Sequence, residues 1–528
     1  MAITINSKPL LQASCLTYQF ENGETLFSDL SFTLSARLTG LVGRNGVGKS
    51  ALASILSGQK APSLGSVVIN GSSEYLGQLP SQLINSEQTL AEFLEIEPVL
   101  NALRNIELGH CNQQWFDIVG EQWQLESEIA ELLKSLGLPV NTSLLCNALS
   151  GGQLTRLQLW KLLRSEAELL ILDEPSNHLD RSGRQWLVDE IQNFKGSVLL
   201  ISHDRMLLRA MEQIWELNSL GLSQYGGNYD HYFEQKGQQC AALEKQLDCA
   251  SKVQKQLQRQ IQASKEKADK RASQGERERK KGGMPKWWFN GRKSSAQASA
   301  GKRSRMAQSR TEQLQKKSDD LKSQYEVHKR QKLYLPSSKD NSPTLMTMEE
   351  LVLPYGNPDP ITLVLNGHGR LHLEGRNGSG KSTLMNVLLG NLDYSGHLRI
   401  NTNLCYLDQH FSFLQSDSTV LDNLMDSCEG MKATDARVLL AGIGFRQESV
   451  FRKVRVLSGG EKMKLAMLMV SHQHGQPVLL LDEPDNHLDL DSKRILAEAL
   501  RAYQGAFILI SHDEDFISEA GINQKLVL

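Results

Sequence analysis

The sequence lacks the features of a membrane protein and of a disulfide-rich secreted protein. In its 528 residues no uninterrupted apolar run approaches the roughly 18 to 20 residues that span a bilayer. The start, MAITINSKPL, has neither the basic nor the apolar region of a signal peptide. The seven cysteines are odd in number and form no C-x-x-C pair, so neither a disulfide framework nor a zinc site is implied. We therefore expect a cytoplasmic protein with reduced thiols and no stable membrane insertion.

Net charge is also small, but the total conceals a strong segregation of charge. The chain has 58 Lys and Arg against 60 Asp and Glu, a formal charge of −2. Residues 241–335 carry 25 basic and 10 acidic side chains, which leaves 33 basic and 50 acidic ones elsewhere. With 40% hydrophobic residues the remainder can form real cores, and the length favours three or four domains of roughly 150 residues each.

One series of short motifs occurs twice in the same order. The first copy has GRNGVGKS, YLGQ, LSGGQ, LLILDEP, NHLD and SHD, and the second has GRNGSGKS, YLDQ, LSGGE, VLLLDEP, NHLD and SHD. In both copies 30 residues separate the aspartate of DEP from the histidine of SHD. The stretch from YL-x-Q to LSGG differs most in length, because the first copy has 23 more residues there. We interpret this excess, at about 100–132, as a small helical insert.

The repeated pattern predicts two α/β domains with mainly parallel sheets. The apolar runs Leu38 to Val42 and Leu371 to Leu373 are typical of buried strands that lead through a glycine-rich loop into helices at 50–56 and 382–389. Short apolar runs before DEP and SHD add interior strands. The predicted fold class is two P-loop NTPase domains in tandem, joined by an α-helical hairpin.

The residues of the motifs are those that bind nucleotide phosphates and Mg²⁺. In G-x-x-x-x-G-K-S the backbone amides surround phosphate oxygens, Lys49 or Lys381 holds the β/γ-phosphates, and Ser50 or Ser382 ligates Mg²⁺. ATP and Mg²⁺ are therefore the expected cofactors. Asp173 and Asp482 end apolar strands, where they can support the metal.

The glutamates that follow these aspartates are the predicted catalytic bases. A second carboxylate beside the metal can orient a water molecule and accept its proton, which assigns this role to Glu174 and Glu483. The alternative for any isolated acidic pair is that it only caps a strand-to-helix turn. We favour the catalytic interpretation because both pairs lie within the same motif series.

Together the motifs resemble those of the ATP-binding cassette superfamily, in which LSGGQ closes over the ATP bound to the opposite cassette. The resemblance implies that Gln78 and Gln409 contact Mg²⁺ and water, and that His203 and His512 contact the γ-phosphate. Site one would comprise Gly43, Arg44, Asn45, Gly46, Val47, Gly48, Lys49, Ser50, Gln78, Asp173, Glu174 and His203 with Ser458, Gly459, Gly460 and Glu461. Site two would comprise Gly375, Arg376, Asn377, Gly378, Ser379, Gly380, Lys381, Ser382, Gln409, Asp482, Glu483 and His512 with Ser150, Gly151, Gly152 and Gln153.

Some positions depart from the superfamily pattern or complete it. Glu461 replaces the usual glutamine, which puts a carboxylate near nucleotide in site one and leaves open whether the two sites are equal. Ser176 and Asp485 stand where relatives usually carry threonine. The resemblance also implies an aromatic residue that stacks on adenine, for which Tyr18 is the candidate in the first cassette and Tyr355 in the second.

The segment between the two copies predicts a basic helical hairpin. Apolar residues recur at three- and four-residue steps in its first half and at sevens in its second: Leu243, Leu247, Ala250, Val253, Leu257 and Ile261, then Ala307, Leu314 and Leu321. The glycine-rich stretch 282–301 predicts the tip, with Trp287, Trp288 and Phe289 among basic residues. Such a tip suits nucleic acid, although a plain linker or an anionic lipid surface are alternatives. The predicted domains are 1–238, 239–335 and 336–528.

Two cassettes separated by NYDHYF and a basic hairpin, with PKWWFNGRK and AGKRSRM in the tip, resemble the ABC-F family. The resemblance implies an ATPase that binds the ribosomal E site with its cassettes closed as an intramolecular dimer. It also implies that the hairpin extends toward the P-site tRNA, in translation regulation or in rescue of antibiotic-stalled ribosomes. The alternatives are an ATPase subunit of a separate membrane transporter and an ATP-regulated module that binds DNA or RNA.

Overall fold

The computed structural model describes residues 9–21, 23–77, 87–110, 112–177, 179–281, 305–306, 308–319, 321–322, 324, 344–408, 411–428, 430–445, 447–472, 477–486 and 488–528. The chain divides into two compact units, Met1–Asp230 with Gln331–Leu528, and His231–Arg330. Within the described ranges, no helix combines the length and apolar character that crossing a bilayer requires.

The first cassette is an α/β domain built on a largely parallel sheet. Its strands are β1 (Leu11–Gln19), β2 (Thr25–Thr33), β3 (Leu38–Gly43), β4 (Leu64–Ile69), β5 (Ser73–Leu76), β6 (Leu169–Asp173), β7 (Ser197–Ile201), β8 (Gln213–Asn218) and β9 (Gly221–Gly226). Its helices are α1 (Lys49–Leu56), α2 (Leu90–Phe93), α3 (Glu97–Glu107), α4 (Gln113–Val119), α5 (Leu125–Ser135), α6 (Gly151–Leu163), α7 (Arg181–Asn193) and α8 (Arg205–Arg209). The large sheet has the order β5-β6-β7-β3-β8-β9, and a small antiparallel sheet has the order β2-β1-β4.

The second cassette repeats this plan. Its strands are β10 (Thr344–Val352), β11 (Ile361–Asn366), β12 (Arg370–Glu374), β13 (Ser395–Ile400), β14 (Leu404–Leu407), β15 (Val478–Asp482), β16 (Phe507–Ile510) and β17 (Gln524–Val527). Its helices, numbered after the interdomain helix α9 (Tyr229–Lys281), are α10 (Lys381–Leu388), α11 (Val420–Ser427), α12 (Ala433–Gly442), α13 (Gly459–Ser471), α14 (Leu490–Ala502) and α15 (Glu514–Ala520). The large sheet, β14-β15-β16-β12-β17, is parallel throughout, and β11-β10-β13 is antiparallel. The predicted α/β fold class with two tandem cassettes is confirmed.

The central strands form because their sequences are apolar on both faces. Every residue of β6 is buried, as are four of the five residues of β15. Helices pack on both sides of such strands, which is why continuous apolar runs, rather than alternating ones, mark them in the sequence. Parallel strands also present their carboxyl ends at one edge of the sheet, and that edge carries the DEP and SHD motifs of each cassette.

The additional residues of the first cassette form two helices. In the second cassette α12 follows α11 after a short turn, whereas in the first cassette α3 and α4 intervene between α2 and α5. Both α2 and α11 begin at a threonine N-cap, Thr89 and Thr419, each of which pairs with a later segment of its own cassette. The insertion thus corresponds to α3 and α4, which begin at Glu97, just before the predicted 100–132 region, and end within it at Val119.

The second unit contains α9 and further helical residues at 308–319. Gln254 Nε2 donates to Gln315 Oε1 at 2.7 Å, so the two helical segments lie side by side there. Leu321 is buried, and Leu243, Leu247, Ala250, Gln254, Leu257 and Ile261 are half-buried at strict four- and three-residue steps. The prediction of Val253 in this seam was wrong, because the repeat places Gln254 on the inner face and leaves Val253 47% exposed. Ala307 and the predicted tip at 282–301 lie outside the described residues.

Candidate active site

The two P-loops connect a central strand to a helix in each cassette. Lys49 Nζ donates to the carbonyl oxygens of Gly43 at 2.8 Å and Arg44 at 3.1 Å. Lys381 makes the same two bonds in the second loop, at 2.7 and 3.0 Å. Each lysine is therefore held across the mouth of its own loop, at the N-terminus of α1 or α10, where backbone N–H groups attract anions.

The backbone conformation of each P-loop requires glycine at two positions. Gly46 and Gly48 have φ of 82° and 107°, and Gly378 and Gly380 have φ of 84° and 105°, values that side chains strain to adopt. A Cβ at Gly46 or Gly378 would meet no atom within 4 Å. Glycine is therefore needed at these two positions for the backbone conformation and not for lack of space.

The predicted metal-binding aspartates and catalytic glutamates lie at the ends of β6 and β15. Glu174 and Glu483 have φ of 51° and 47°, although neither is glycine. Each is fixed by its own N–H, which donates to a carbonyl at the end of the neighbouring strand, Ile201 at 2.8 Å and Ile510 at 3.0 Å. A left-handed backbone at a bulky side chain costs on the order of 1 kcal/mol or more and persists only where the surrounding structure fixes it.

Burial changes the acidity of both glutamates. It raises the pKa of Glu174 to about 7 and also raises the pKa of Glu483. A carboxylate whose pKa lies near neutrality accepts a proton more readily than an exposed one, which is the property that a general base needs. Asp482 in addition accepts hydrogen bonds from Tyr406 at 3.2 Å and Ser382 at 3.5 Å, next to the P-loop.

The predicted switch histidines face these glutamates. His203 Nε2 lies 3.7 Å from Glu174 Oε1, and His512 Nε2 lies 3.6 Å from Glu483 Oε1. Burial lowers the pKa of both histidines, to about 4 for His512, so both rings are neutral at pH 7. Among the described residues, four buried atoms at these positions have no hydrogen-bond partner: both ring nitrogens of His203, Oε1 of Glu174 and Nε2 of His512. Buried polar atoms without partners fit a site built for a polar ligand such as ATP with its attacking water.

The two LSGG motifs form the N-termini of α6 and α13 and differ in one side chain. Ser150 and Ser458 are the N-cap residues, and each forms a reciprocal capping box with the residue three positions later. Gln153 also donates to the carbonyl of Gly137 at 3.0 Å. Glu461 instead accepts from the Ser458 hydroxyl at 2.9 Å and pairs with Arg452 at 3.4 Å. The Glu461 carboxylate is therefore engaged by its own cassette.

Residues of both cassettes meet in site two. A cavity of about 390 Å³ is lined by the first cassette's Ser150, Gly151, Gly152 and Arg184, and by residues of the second cassette that include Asn377, Gly378, Gly380, Lys381, Ser382, Asp482, Glu483 and His512. The signature residues of one cassette thus lie opposite the P-loop, the acidic pair and the switch histidine of the other. This arrangement can enclose a nucleoside triphosphate between two positively polarised helix N-termini.

In site one the first P-loop meets the N-terminus of α14. The backbone N–H of Asn45 donates to Asp489 Oδ2 at 3.1 Å, and Arg44 Nε lies 3.8 Å from Asp491 Oδ2. Lys464, on the signature helix α13, interacts electrostatically with Asp489, Arg44 and Glu461. The second cassette therefore contacts the first P-loop through the N-terminus of α14, and the position of Ser458 to Glu461 in site one stays a prediction.

The aromatic candidates differ in position. Tyr18 is half-buried and packs against Phe20 and Phe27, with ring centroids 5.6 and 6.2 Å away. Phe27 in turn lies against Gly48 of the first P-loop. Tyr355 lines the site-two cavity and is 70% exposed. Gln78 and Gln409 lie outside the described residues.

Sequence reasoning missed a set of ion pairs between the cassettes. Arg205 is buried and makes a bidentate contact with Glu519 at 2.7 and 3.1 Å. Arg209 makes another with Asp515 at 2.7 and 2.9 Å. We call these the α8–α15 ion pairs. A signal was present, because the helix after the first SHD is basic and the helix after the second is acidic.

Comparison with known proteins places the two copies in one family. The profile described as ABC transporter matches residues 27–177 and 359–486. The ATP-binding protein YdiF of Bacillus subtilis is 31% identical over 96% of this chain and 78% of its own length. ABC transporter F family member 5 of Arabidopsis thaliana is 29% identical over 94% of this chain and 72% of its own length.

Solved structures share the fold at lower identity. A crystal structure described as the complex of archaeal ribosomal stalk protein aP1 and ribosome recycling factor aABCE1 matches with a TM-score of 0.55 and 18% identity, covering 97% of this chain and 87% of that one. A structure of RNase-L Inhibitor matches over the same shares with a TM-score of 0.54 and 18% identity. At this identity the likeness extends to the fold.

Proposed function

This chain belongs to the ABC-F family of tandem ATP-binding cassette proteins and is an ATPase, and from that premise we propose that it acts on the ribosome. Two ATP molecules close the cassettes on each other. The closed form binds the ribosomal E site, and the basic hairpin extends toward the P-site tRNA. Hydrolysis then opens the cassettes and releases the protein.

Within each site the chain binds phosphates and moves one proton. The P-loop amides and Lys49 or Lys381 hold the phosphates, while Ser50 with Asp173, or Ser382 with Asp482, would hold Mg²⁺. Bound Mg²⁺–ATP supplies an electrophilic γ-phosphoryl group. Glu174 or Glu483 accepts the proton of the attacking water on its carboxylate, and the neutral histidine beside it donates a hydrogen bond to the γ-phosphate.

The observation that carries the ribosomal target is the segregation of charge. Residues 241–335 have a net charge of +15, and the rest of the chain has −17. Phosphate groups of RNA attract such a segment strongly, whereas acidic cassettes are repelled by nucleic acid unless the contact is local. One chain with the same fold is described as an archaeal ribosome recycling factor, which supports the proposal of a ribosomal target.

The test is co-sedimentation with ribosomes using the variant Glu174→Gln/Glu483→Gln. With ATP we expect the variant to pellet with ribosomes, and with ADP to remain in the supernatant, because unhydrolysed ATP holds the cassettes closed. Raising the salt concentration from about 50 to about 200 mM should weaken binding steeply, because contacts with phosphate groups release counterions.

A matched control separates hairpin contacts from cassette contacts. The variant in which Lys286, Arg292 and Lys293 are replaced by glutamine should lose ribosome binding while its ATP hydrolysis without ribosomes stays at the wild-type rate. Co-fractionation with a membrane permease instead of ribosomes would support the transporter alternative. Protection of scattered DNA in nuclease mapping would support the DNA-binding alternative, and binding that ignores salt would contradict the phosphate-contact model.

A further inference from the structure

Equivalent ion pairs tie the helix after NHLD to the switch loop in each cassette. Arg184 of α7 lies 3.1 Å from Asp204, the residue after the first switch histidine. Lys493 of α14 lies 3.0 Å from Asp513, the residue after the second one. All four side chains are buried. In each cassette, one buried cation therefore balances the charge of one buried carboxylate.

Asp485 disturbs this balance. It occupies the position of Ser176 in the first cassette, is 1% exposed, and lies 4.0 Å from Lys493 Nζ. The buried cluster of Arg184, Asp204, Asp485, Lys493 and Asp513 therefore has three carboxyl groups for two cations, and burial raises the pKa of Asp485. A buried charge without its own counter-ion is costly, and the cost is highest when surrounding water is excluded.

The cluster belongs to the interface rather than to one cassette. Arg184 interacts electrostatically with Asp485, Asp513 and Glu483 of the other cassette. Burial lowers the pKa of Lys493, but the surrounding carboxylates, Asp204 of the first cassette among them, raise it overall. Arg184 also lines the site-two cavity, so the cluster lies directly behind the space where anionic nucleotide would be enclosed.

We propose that Asp485 is a positioning residue whose excess negative charge opposes closure of the cassettes on ATP. Closing the interface removes water from the cluster while ATP adds further negative charge nearby. The residue thereby makes nucleotide binding weaker and the closed state shorter-lived than a neutral side chain would. The inference rests on the proposed ATP-driven closure but not on ribosome binding.

The experiment is equilibrium binding of ATP with Mg²⁺ by calorimetry, with all variants in the full-length Glu174→Gln/Glu483→Gln background. Asp485→Ser, which copies the first cassette, and Asp485→Asn, which keeps the shape, should each bind ATP about tenfold more tightly. Ser176→Asp places a buried carboxyl group at the equivalent position of the first cassette and should weaken binding by a similar factor. The exchange Ser176→Asp/Asp485→Ser keeps the total charge and should return affinity to within about twofold of the parent.

A distance readout distinguishes the possible failures. Fluorophores on cysteines introduced at exposed Glu166 and His397 report closure by energy transfer. If the parent does not close with ATP, the proposed function is wrong. If the parent closes but Asp485→Asn and Asp485→Ser bind ATP no more tightly, Asp485 has only a packing role and the inference is overturned. If Asp485→Ser alone binds more tightly, shape rather than charge is responsible, which also overturns it.

Discussion

In site two the signature helix comes from the first cassette and its capping side chain is the neutral Gln153, whereas in site one it comes from the second cassette and the capping side chain is Glu461. The backbone bonds are the same, with the N–H of the third residue 3.4 Å from the serine hydroxyl in both. Only Ser458 donates its hydroxyl hydrogen to the capping partner, at 2.9 Å. The duplicated cassettes have kept one backbone arrangement and differ in the charges placed on it.

The largest effect is expected from the candidate bases. Glu174→Gln with Glu483→Gln should lower phosphate release at least about 100-fold, since a positioned general base contributes roughly that much or more. The two single variants should retain different fractions of the wild-type rate, because the carboxylates around each site differ. Equal hydrolysis rates for the two single variants would contradict the expectation that the two sites differ in activity. A double variant with wild-type turnover would contradict the assignment of the base.

A smaller effect, shared by both sites, is expected from the α8–α15 ion pairs. Arg205 directly follows the first SHD motif and forms an ion pair with the helix that follows the second one. Arg205→Ala leaves Glu519 unpaired and should lower the free energy of unfolding by about 2 kcal/mol in urea titration. ATP hydrolysis at site one and site two should fall by the same factor.

The matched control is Arg209→Ala, whose side chain is 40% exposed, so its contacts with Asp515 and Asp230 should together contribute less than about 1 kcal/mol. The exchange Arg205→Glu/Glu519→Arg should recover part of the stability lost in Arg205→Glu. If Arg205→Ala impaired one site and spared the other, the contact would belong to that site alone.

The smallest effect concerns the signature side chains. Glu461→Gln frees the Ser458 hydroxyl and should lower the KM for ATP about two- to threefold in the Glu483→Gln background, where only site one turns over. Gln153→Glu should raise the KM by a similar factor in the Glu174→Gln background. An unchanged KM in both variants would mean that the capping residue does not affect nucleotide binding.

The fold and the position of most candidate residues could be predicted because they depend on local patterns. The apolar strands, the P-loop glycines and the order of motifs each follow from a few adjacent residues, and they imply which side chains share the sheet edge. The left-handed backbone of Glu174 could not be predicted, since it depends on a hydrogen bond to Ile201 on a neighbouring strand.

Side-chain contacts that no local sequence pattern specifies could not be predicted either. The partner of Arg205 lies 314 residues away in the sequence, and nothing local identifies it. The pairing of Glu461 with Arg452, nine residues earlier, was not predicted either, and the expected position of Glu461 near the nucleotide stays a prediction. In the hairpin the apolar character of Val253 suggested a buried position, whereas the geometric repeat selected Gln254, which satisfies its amide through Gln315.

The α8–α15 ion pairs also decide which domain can partner which. Two first cassettes brought together in the same arrangement would place Arg205 against Ala210 and Arg209 against Met206, so both arginines would lose their carboxylates, and two second cassettes would place Glu519 against Glu514. Like charges at such close range are repulsive, whereas the mixed pairing is attractive. The charge pattern therefore selects the pairing of unlike cassettes within one chain over association between like cassettes of two chains, and a free single cassette would find no self-complementary surface there.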